Sequence, residues 1–236
     1  MSKTRKLNTN GLYEKLAEIF DTPADRGVLQ GNRKINKGRT GTRINFLPSL
    51  KNKAMMPCES RLEADSCLEL EFNQSVVAYR VQPFTIQISA KETYTPDSIH
   101  RDTLGGYTVR EVKVSSKLKD EILIKRLARI CNIFINIGIG FEVKTETDLQ
   151  CDPESINRKY LYRSSHFPIN DFVKNRALKI LKIIGKTTLL EFRKSLSQHN
   201  IDPVVAEKLL FLGLVEYDCT KSLTPMSEIW LKGEKS

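Results

Sequence analysis

Between residues 12 and 20 the apolar side chains fall at Leu12, Leu16, Ile19 and Phe20, the spacing of one helical face, and Asp21, Thr22 and Pro23 end the run. Residues 61–72 hold no Gly or Pro and predict a second helix, with Leu62, Cys67 and Leu70 toward a core. Two β-rich runs follow, 76–81 and 84–88, separated by Gln82 and Pro83, and Thr95, Pro96 and Asp97 stop the second. Gly105 and Gly106 mark a turn, after which 107–114 alternates through Val109, Val112 and Val114 as a third strand. Residues 118–134 place Leu118, Ile122, Leu123, Leu127 and Ile130 at helical spacing, and 138–143 predict a final strand. That order is a small α/β unit of about 90 residues.

Cys151, Asp152 and Pro153 mark the next boundary. Three helical patterns lie beyond it, 169–184, 187–199 and 203–214, followed by two short β-runs at 215–217 and 228–230. Three helices and a two-stranded wing are the winged-helix outline. The predicted organisation is therefore a basic helix and arm over 1–58, a catalytic-type α/β core over 59–150 and a winged-helix domain over 151–236.

Composition narrows the class. Of 236 residues 40% are hydrophobic and 28% charged, a globular balance. The longest apolar run, 130–141, is broken by Asn132 and Asn136 and is shorter than the roughly 20 residues a bilayer requires. The first residues lead into Asn and Gly rather than an apolar stretch, so a cytoplasmic protein is expected. Five cysteines with no Cys-x-x-Cys pair, and only three histidines, offer no zinc site. The net charge is +10, and residues 1–58 carry twelve basic and four acidic groups of it. A basic arm on a nearly neutral body suits a polyanion such as DNA. Arg33, Lys34, Lys37, Arg39, Arg43, Lys51 and Lys53 are its candidate phosphate contacts, on a segment expected to be extended and mobile.

Four ionisable residues carry the candidate chemistry. Glu63 lies on the second helix, Asp97 closes the second strand, and Glu111 and Lys113 share one face of the third. If those two strands are neighbours, Asp97 and Glu111 meet at one edge. Two carboxylates there make an oxygen-rich site for Mg²⁺, which polarises a phosphodiester and acidifies water. Lys113 then orients that water or stabilises charge growing on phosphorus, and Glu63 completes a second metal position. The bare pattern also describes a hairpin with ordinary surface charges.

Ser60-Arg61-Leu62-Glu63, the stretch 68–76, Tyr79-Arg80-Val81-Gln82-Pro83-Phe84, Tyr94-Thr95-Pro96-Asp97 and Arg110-Glu111-Val112-Lys113 resemble the TnsA endonuclease family of heteromeric cut-and-paste transposons, some of them CRISPR-guided. The resemblance is densest over 59–143. It implies a restriction-endonuclease-like mixed-sheet core followed by a winged-helix domain. It also implies cleavage of the 5′ transposon ends, with two Mg²⁺ ions for which Mn²⁺ can substitute. The partners implied are a TnsB-type transposase that cuts and joins the 3′ ends and a TnsC-type ATPase. By position Glu63, Asp97 and Lys113 match the family's catalytic Glu, Asp and Lys. Glu111 stands where some members carry Gln, and the Glu here restores the ordinary carboxylate. The competing expectations are a stand-alone restriction or repair nuclease and a non-catalytic DNA-binding adaptor.

Smaller features have two readings each. Gln82-Pro83 is a turn or a phosphate contact; His100 is a surface-loop residue or a base. Ser115, Ser116 and Lys117 begin a helix and cap it or hold phosphate. In the C-terminal domain, 203–214 offers only Lys208 as a cation, whereas 173–182 carries Lys174, Arg176, Lys179 and Lys182. Protein docking there is as plausible as DNA reading.

Overall fold

Residues 6–7, 11–32 and 44–233 are described in the computed structural model, and they form a mixed α/β protein with several small sheets. The chain divides into two compact units, Met1–Leu149 and Gln150–Ser236. The first runs β1 (Lys6–Leu7), α1 (Leu12–Asp21), β2 (Asn45–Ser49), β3 (Ala54–Cys58), α2 (Arg61–Phe72), β4 (Val76–Val81), β5 (Thr85–Ser89), β6 (Glu92–Tyr94), β7 (Ser98–Asp102) and β8 (Tyr107–Val112). A 3₁₀ turn (Ser115–Lys119) follows, then α3 (Glu121–Asn136), β9 (Gly140–Lys144) and α4 (Glu146–Leu149).

The central sheet has the order β4-β7-β8-β9. The pairs β4–β7 and β7–β8 are antiparallel, whereas β8–β9 is parallel, with α3 as the crossover a parallel pair requires. Leu12, Leu16 and Phe20 of α1 lie in one core with Phe84, Ile86, Ile99, Val109, Ile130 and Phe134. Met56, Cys58, Cys67, Leu70, Tyr79 and Val81 form a second core among β3, α2 and β4. Helix α1 is therefore a structural part of this unit and not an appendage of the basic segment.

Three expectations change here. The strand 98–102 was not expected, because Ser98, His100, Arg101 and Asp102 carry almost no β pattern; burial between two partner strands overrides that weak propensity. The runs predicted as second and third strands are not neighbours: β5 belongs to a separate sheet with β1 and β6. Asp97 thus opens β7 rather than closing the strand before it. Nor is 45–58 an extended arm, since β2 and β3 pair from Asn45↔Cys58 to Ser49↔Ala54.

That hairpin is pinned to α2. The Glu71 carboxylate, 1% exposed, accepts from Ser49 Oγ and from Leu50 N–H at 3.1 Å. Lys51 Nζ donates to the Leu70 carbonyl at 2.7 Å and to that of Asn73, closing the C-terminal end of the helix. Burial pulls the Lys51 pKa down to about 8, against the opposing pull of Glu71 and Glu69. Between about pH 8 and the unfolded value of 10.5 the unfolded chain therefore holds the extra proton. Stability from this group is lowest below pH 8 and rises with pH through that window. Urea unfolding of the wild type relative to Lys51→Met should show the difference moving in the wild type's favour from pH 8 to 10; a pH-independent difference would contradict it.

The second unit holds α5 (Glu154–Ser165), α6 (Asp171–Ile184), β10 (Thr187–Thr188), α7 (Leu189–Gln198), α8 (Val205–Phe211), β11 (Val215–Tyr217) and β12 (Glu228–Leu231). The last two strands pair antiparallel as anticipated, and β10 adds a third in the order β10-β12-β11. Helix α5 was missed because its buried face is polar. Asn157 is buried yet satisfied, donating to the Lys221 carbonyl and accepting from Leu223 N–H, both at 2.8 Å. Among the described residues, no helix is long and apolar enough to cross a membrane.

Candidate active site

Strand pairing brings three of the four candidates together. Ser98 lies opposite Arg110, so Asp97, just before β7, stands beside Glu111 on β8. The ladder runs on past β8, with Lys113 N–H donating to the Lys144 carbonyl at 3.0 Å. Lys113 Nζ then meets Glu111 Oε1 at 2.5 Å, the Val112 carbonyl at 3.1 Å and Asp97 Oδ2 at 3.6 Å. One ammonium is thus ringed by three oxygens from two strand ends.

Each carboxylate also accepts from a second donor. Val112 N–H donates to Asp97 Oδ2 at 2.7 Å, and the Tyr94 hydroxyl donates to Glu111 Oε2 at 2.6 Å. Burial, helped by the Glu111 charge, pushes the Asp97 pKa up to about 7 against the opposing pull of Lys113. Burial works to lower the Lys113 pKa, but Asp97 and Glu111 together outweigh it and raise it. Burial, then Glu111, raises the Tyr94 hydroxyl well above its ordinary value, which keeps it a donor.

Glu63 is held differently. It sits in the first turn of α2, where Glu63 N–H donates to Ser60 Oγ at 3.1 Å. Its carboxylate accepts from Glu59 N–H at 2.9 Å and from Ser60 Oγ at 3.0 Å, the reciprocal capping pattern. Burial raises its pKa, while Lys113 lies close enough to act against that shift, and the Glu63 charge in turn acts on Asp97. It is an electrostatic neighbour of the trio whose oxygens are committed to its own helix cap. Among the described residues, no cluster of three or more His, Cys, Asp or Glu is placed to hold a metal ion.

Arg110 supports the opposite side of the same strand. It is 2% exposed, and its Nη1 donates to Glu69 Oε2 at 2.6 Å and to the Ser66 carbonyl at 3.3 Å on α2. Its Nε donates to Glu142 Oε1 at 2.6 Å on β9. The residue before Glu111 thus fastens β8 to the helix that carries Glu63. His100 is not a loop residue: it lies half-buried on β7, its Nδ1 3.9 Å from Glu142, and burial followed by Arg110 lowers its pKa.

Gln82 adopts φ +42°, left-handed for a residue with a side chain. Its N–H donates to the Asp97 carbonyl at 3.0 Å and its carbonyl accepts from Asn32 N–H at 2.7 Å. A Cβ on Gly31 would stand 2.9 Å from Gln82 Cβ, so only glycine lets the chain close on this corner. Tyr94, Arg110 and the Val112 carbonyl were missed as site components. The Tyr94-Thr95-Pro96-Asp97 and Arg110-Glu111-Val112-Lys113 motifs contained Tyr94 and Arg110, but nothing local in sequence marks a backbone carbonyl or the burial of a guanidinium.

The remaining DNA-contact candidates are scattered. Lys51 is spent on α2, Lys53 is exposed at the β2–β3 turn, and Lys117 is exposed in the 3₁₀ turn. Ser115 does not begin α3: its N–H donates to Glu146 Oε2 at 2.8 Å, and Asp120 caps the helix through Ile122 N–H at 2.9 Å. Arg33, Lys34, Lys37, Arg39 and Arg43 lie outside the described residues. Compared with protein-family models and with curated proteins, the chain matches none of them.

Proposed function

We propose that this chain is a metal-dependent DNA endonuclease acting as one subunit of a heteromeric transposase, cleaving the 5′ ends of the transposon. The reading rests on one observation: Asp97 Oδ2, Glu111 Oε1 and the Val112 carbonyl converge on a single cation, the Lys113 ammonium. Three hard oxygens, two of them carboxylate, suit Mg²⁺ or Mn²⁺, which take one or two carboxylates and leave other positions to water and phosphate. Asp97, Glu111 and the Val112 carbonyl would hold the ion, with Glu63 available to a second if its cap opens.

Mg²⁺ supplies Lewis acidity at a scissile phosphate. The chain's own residues do the rest. Tyr94 holds Glu111 Oε2 and leaves Oε1 facing inward, whereas the Val112 N–H fixes the same Asp97 Oδ2 that faces Lys113. Lys113, whose ammonium sits among these three oxygens, would give them up to a bound cation and turn to a phosphate oxygen, where it stabilises negative charge as it develops. On this reading the first unit is a restriction-endonuclease-like core. The second, with helix order α6-α7-α8 and paired β11 and β12, is a winged-helix domain.

The subunit assignment is supported by the motif resemblance to the TnsA family and by a physical argument. A net charge of +10 gives affinity for DNA without sequence information. Specificity then comes from partners, a TnsB-type transposase bound at the ends and a TnsC-type ATPase. Strand-specific nicking in Mg²⁺ should be compared on transposon-end and random duplexes, with and without those partners. Cutting at 5′ ends that depends on the partners is the expected result. Sequence-indifferent cutting by the lone chain would refute the subunit role and favour a stand-alone nuclease. No cutting in any arm would favour a DNA-binding adaptor.

A further inference from the structure

In a winged-helix reader the third helix enters the DNA groove. Here that helix is α8, and every one of its residues is buried. Its two charged side chains are both spent: Lys208 Nζ donates to the Ser165 carbonyl on α5, and Glu207 accepts from Arg193 and, at 3.0 Å, from the Tyr160 hydroxyl. Helix α5 packs on α8 where these two side chains emerge. No donor, cation or apolar tip of α8 is free to read a base.

Helix α6 presents the opposite picture. Ala177, Ile180 and Leu181 face the core. On the outward side Phe172, Arg176, Lys179 and Ile183 follow one another at spacings of four, three and four, one line along a helix, and all four are exposed. Lys182, also exposed, flanks that line. Among the described residues, no carboxylate pairs with Arg176, Lys179 or Lys182. Five other cations of the same unit are neutralised: Arg158 by Glu154, Lys186 by Glu228, Arg193 by Glu207, Lys194 by Glu191 and Lys221 by Asp218. The one acidic residue on α6, Asp171, is taken by Lys174 at 2.5 Å.

We propose that the outward face of α6, through Arg176, Lys179 and Lys182, is a second DNA-backbone contact surface, and that this unit binds duplex without reading its sequence. The inference rests on the endonuclease reading only for the identity of the polyanion. Three cations span about 9 Å of helix, a length over which duplex DNA carries about five phosphate charges. Phe172 and Ile183, 72% and 86% exposed, stand about 16 Å apart with the cations between them. A partner protein helix would need a continuous apolar seam, and this face interrupts it with charge. Apolar ends around a cationic centre suit deoxyribose and phosphate.

The test measures binding of the full chain to a labelled random duplex of about 30 base pairs in EDTA, across a KCl series. The triple variant Arg176→Gln, Lys179→Gln, Lys182→Gln should lose affinity and flatten the log–log salt slope by about 2.7, close to 0.9 per phosphate contact. The control Lys194→Gln, Lys221→Gln, which removes paired surface cations, should leave the slope unchanged. An unaltered slope in the triple variant overturns the proposal, and if partner-dependent nicking is lost with it the face docks protein instead. Equal flattening in the control also overturns it, because net charge and not this face would then be responsible. A wild-type chain that binds with the expected α6 dependence yet never nicks would refute the nuclease reading and leave this one standing.

Discussion

Asp97→Ala should lower the rate of Mg²⁺-dependent nicking by at least about 100-fold, the scale of removing one group that stabilises transition-state charge. Asp97 Oδ2, fixed by Val112 N–H at 2.7 Å, is the oxygen that faces Lys113 at 3.6 Å, so the substitution removes one of the three oxygens of the site. No neighbouring carboxylate is free to replace it: Glu111 is engaged by Tyr94 and Lys113, and Glu63 by its own cap. Glu111→Ala and Lys113→Ala should fall as far, the latter without losing metal affinity in calorimetry, since lysine is no ligand. The fold should survive Asp97→Ala. Burial beside Glu111 disfavours the charged form of this carboxyl, so its removal relieves part of the cost of losing the Val112 N–H and Lys113 contacts. Thermal melts of the variant within a few degrees of wild type, with nicking lost, are the expected pair of results. Near-wild-type nicking by Asp97→Ala would place the chemistry elsewhere.

The amphipathic helices and the Val- and Ile-rich strands were legible in the sequence because their patterns are locally self-consistent. The helix 61–72 and the strand 76–81 match the structure residue for residue, and α3 begins only three residues later than its apolar spacing implied. What was hidden depended on partners distant in the chain. Strand β7 carries Ser98 and His100 on a run held by ladders on both sides, Ser98 between Val81 and Arg110 and His100 between Tyr79 and Thr108, so alternation could not reveal it, yet it is the strand that sets Asp97 beside Glu111. The basic stretch 33–53 read as one arm because Lys51 and Lys53 continue its composition. Only the Glu71 carboxylate, some twenty residues on, shows why 45–58 folds back as a hairpin. The site residues themselves were visible as a motif, whereas the groups that aim them, Tyr94, Gln82 and Arg110, became visible only with the pairing.

Arg110→Met should destabilise the first unit by about 3 kcal/mol, the lower end of what breaking a buried ion pair costs. Arg110 is 2% exposed and sits between Glu69 and Glu142, 21% and 29% exposed. Methionine fills much of the guanidinium's volume but leaves two carboxylates facing each other without a cation. Their partial exposure lets water soften that penalty, which is why the lower end applies. A buried guanidinium between two acids is a poor way to gain stability, because desolvation offsets most of the attraction and apolar packing does as well. What it gives here is geometry: one rigid fork sets α2, with Glu63 in its first turn, against β8, with Glu111 as the next residue. Arg110→Lys, which keeps the charge and loses the fork, should therefore cost less stability than the methionine variant while lowering the nicking rate at unchanged DNA affinity. Urea unfolding followed by circular dichroism gives the first quantity, and single-turnover nicking at saturating protein gives the second. A methionine variant as stable as wild type would show that Glu69 and Glu142 find water or other donors, and that Arg110 contributes no more than an ordinary surface ion pair.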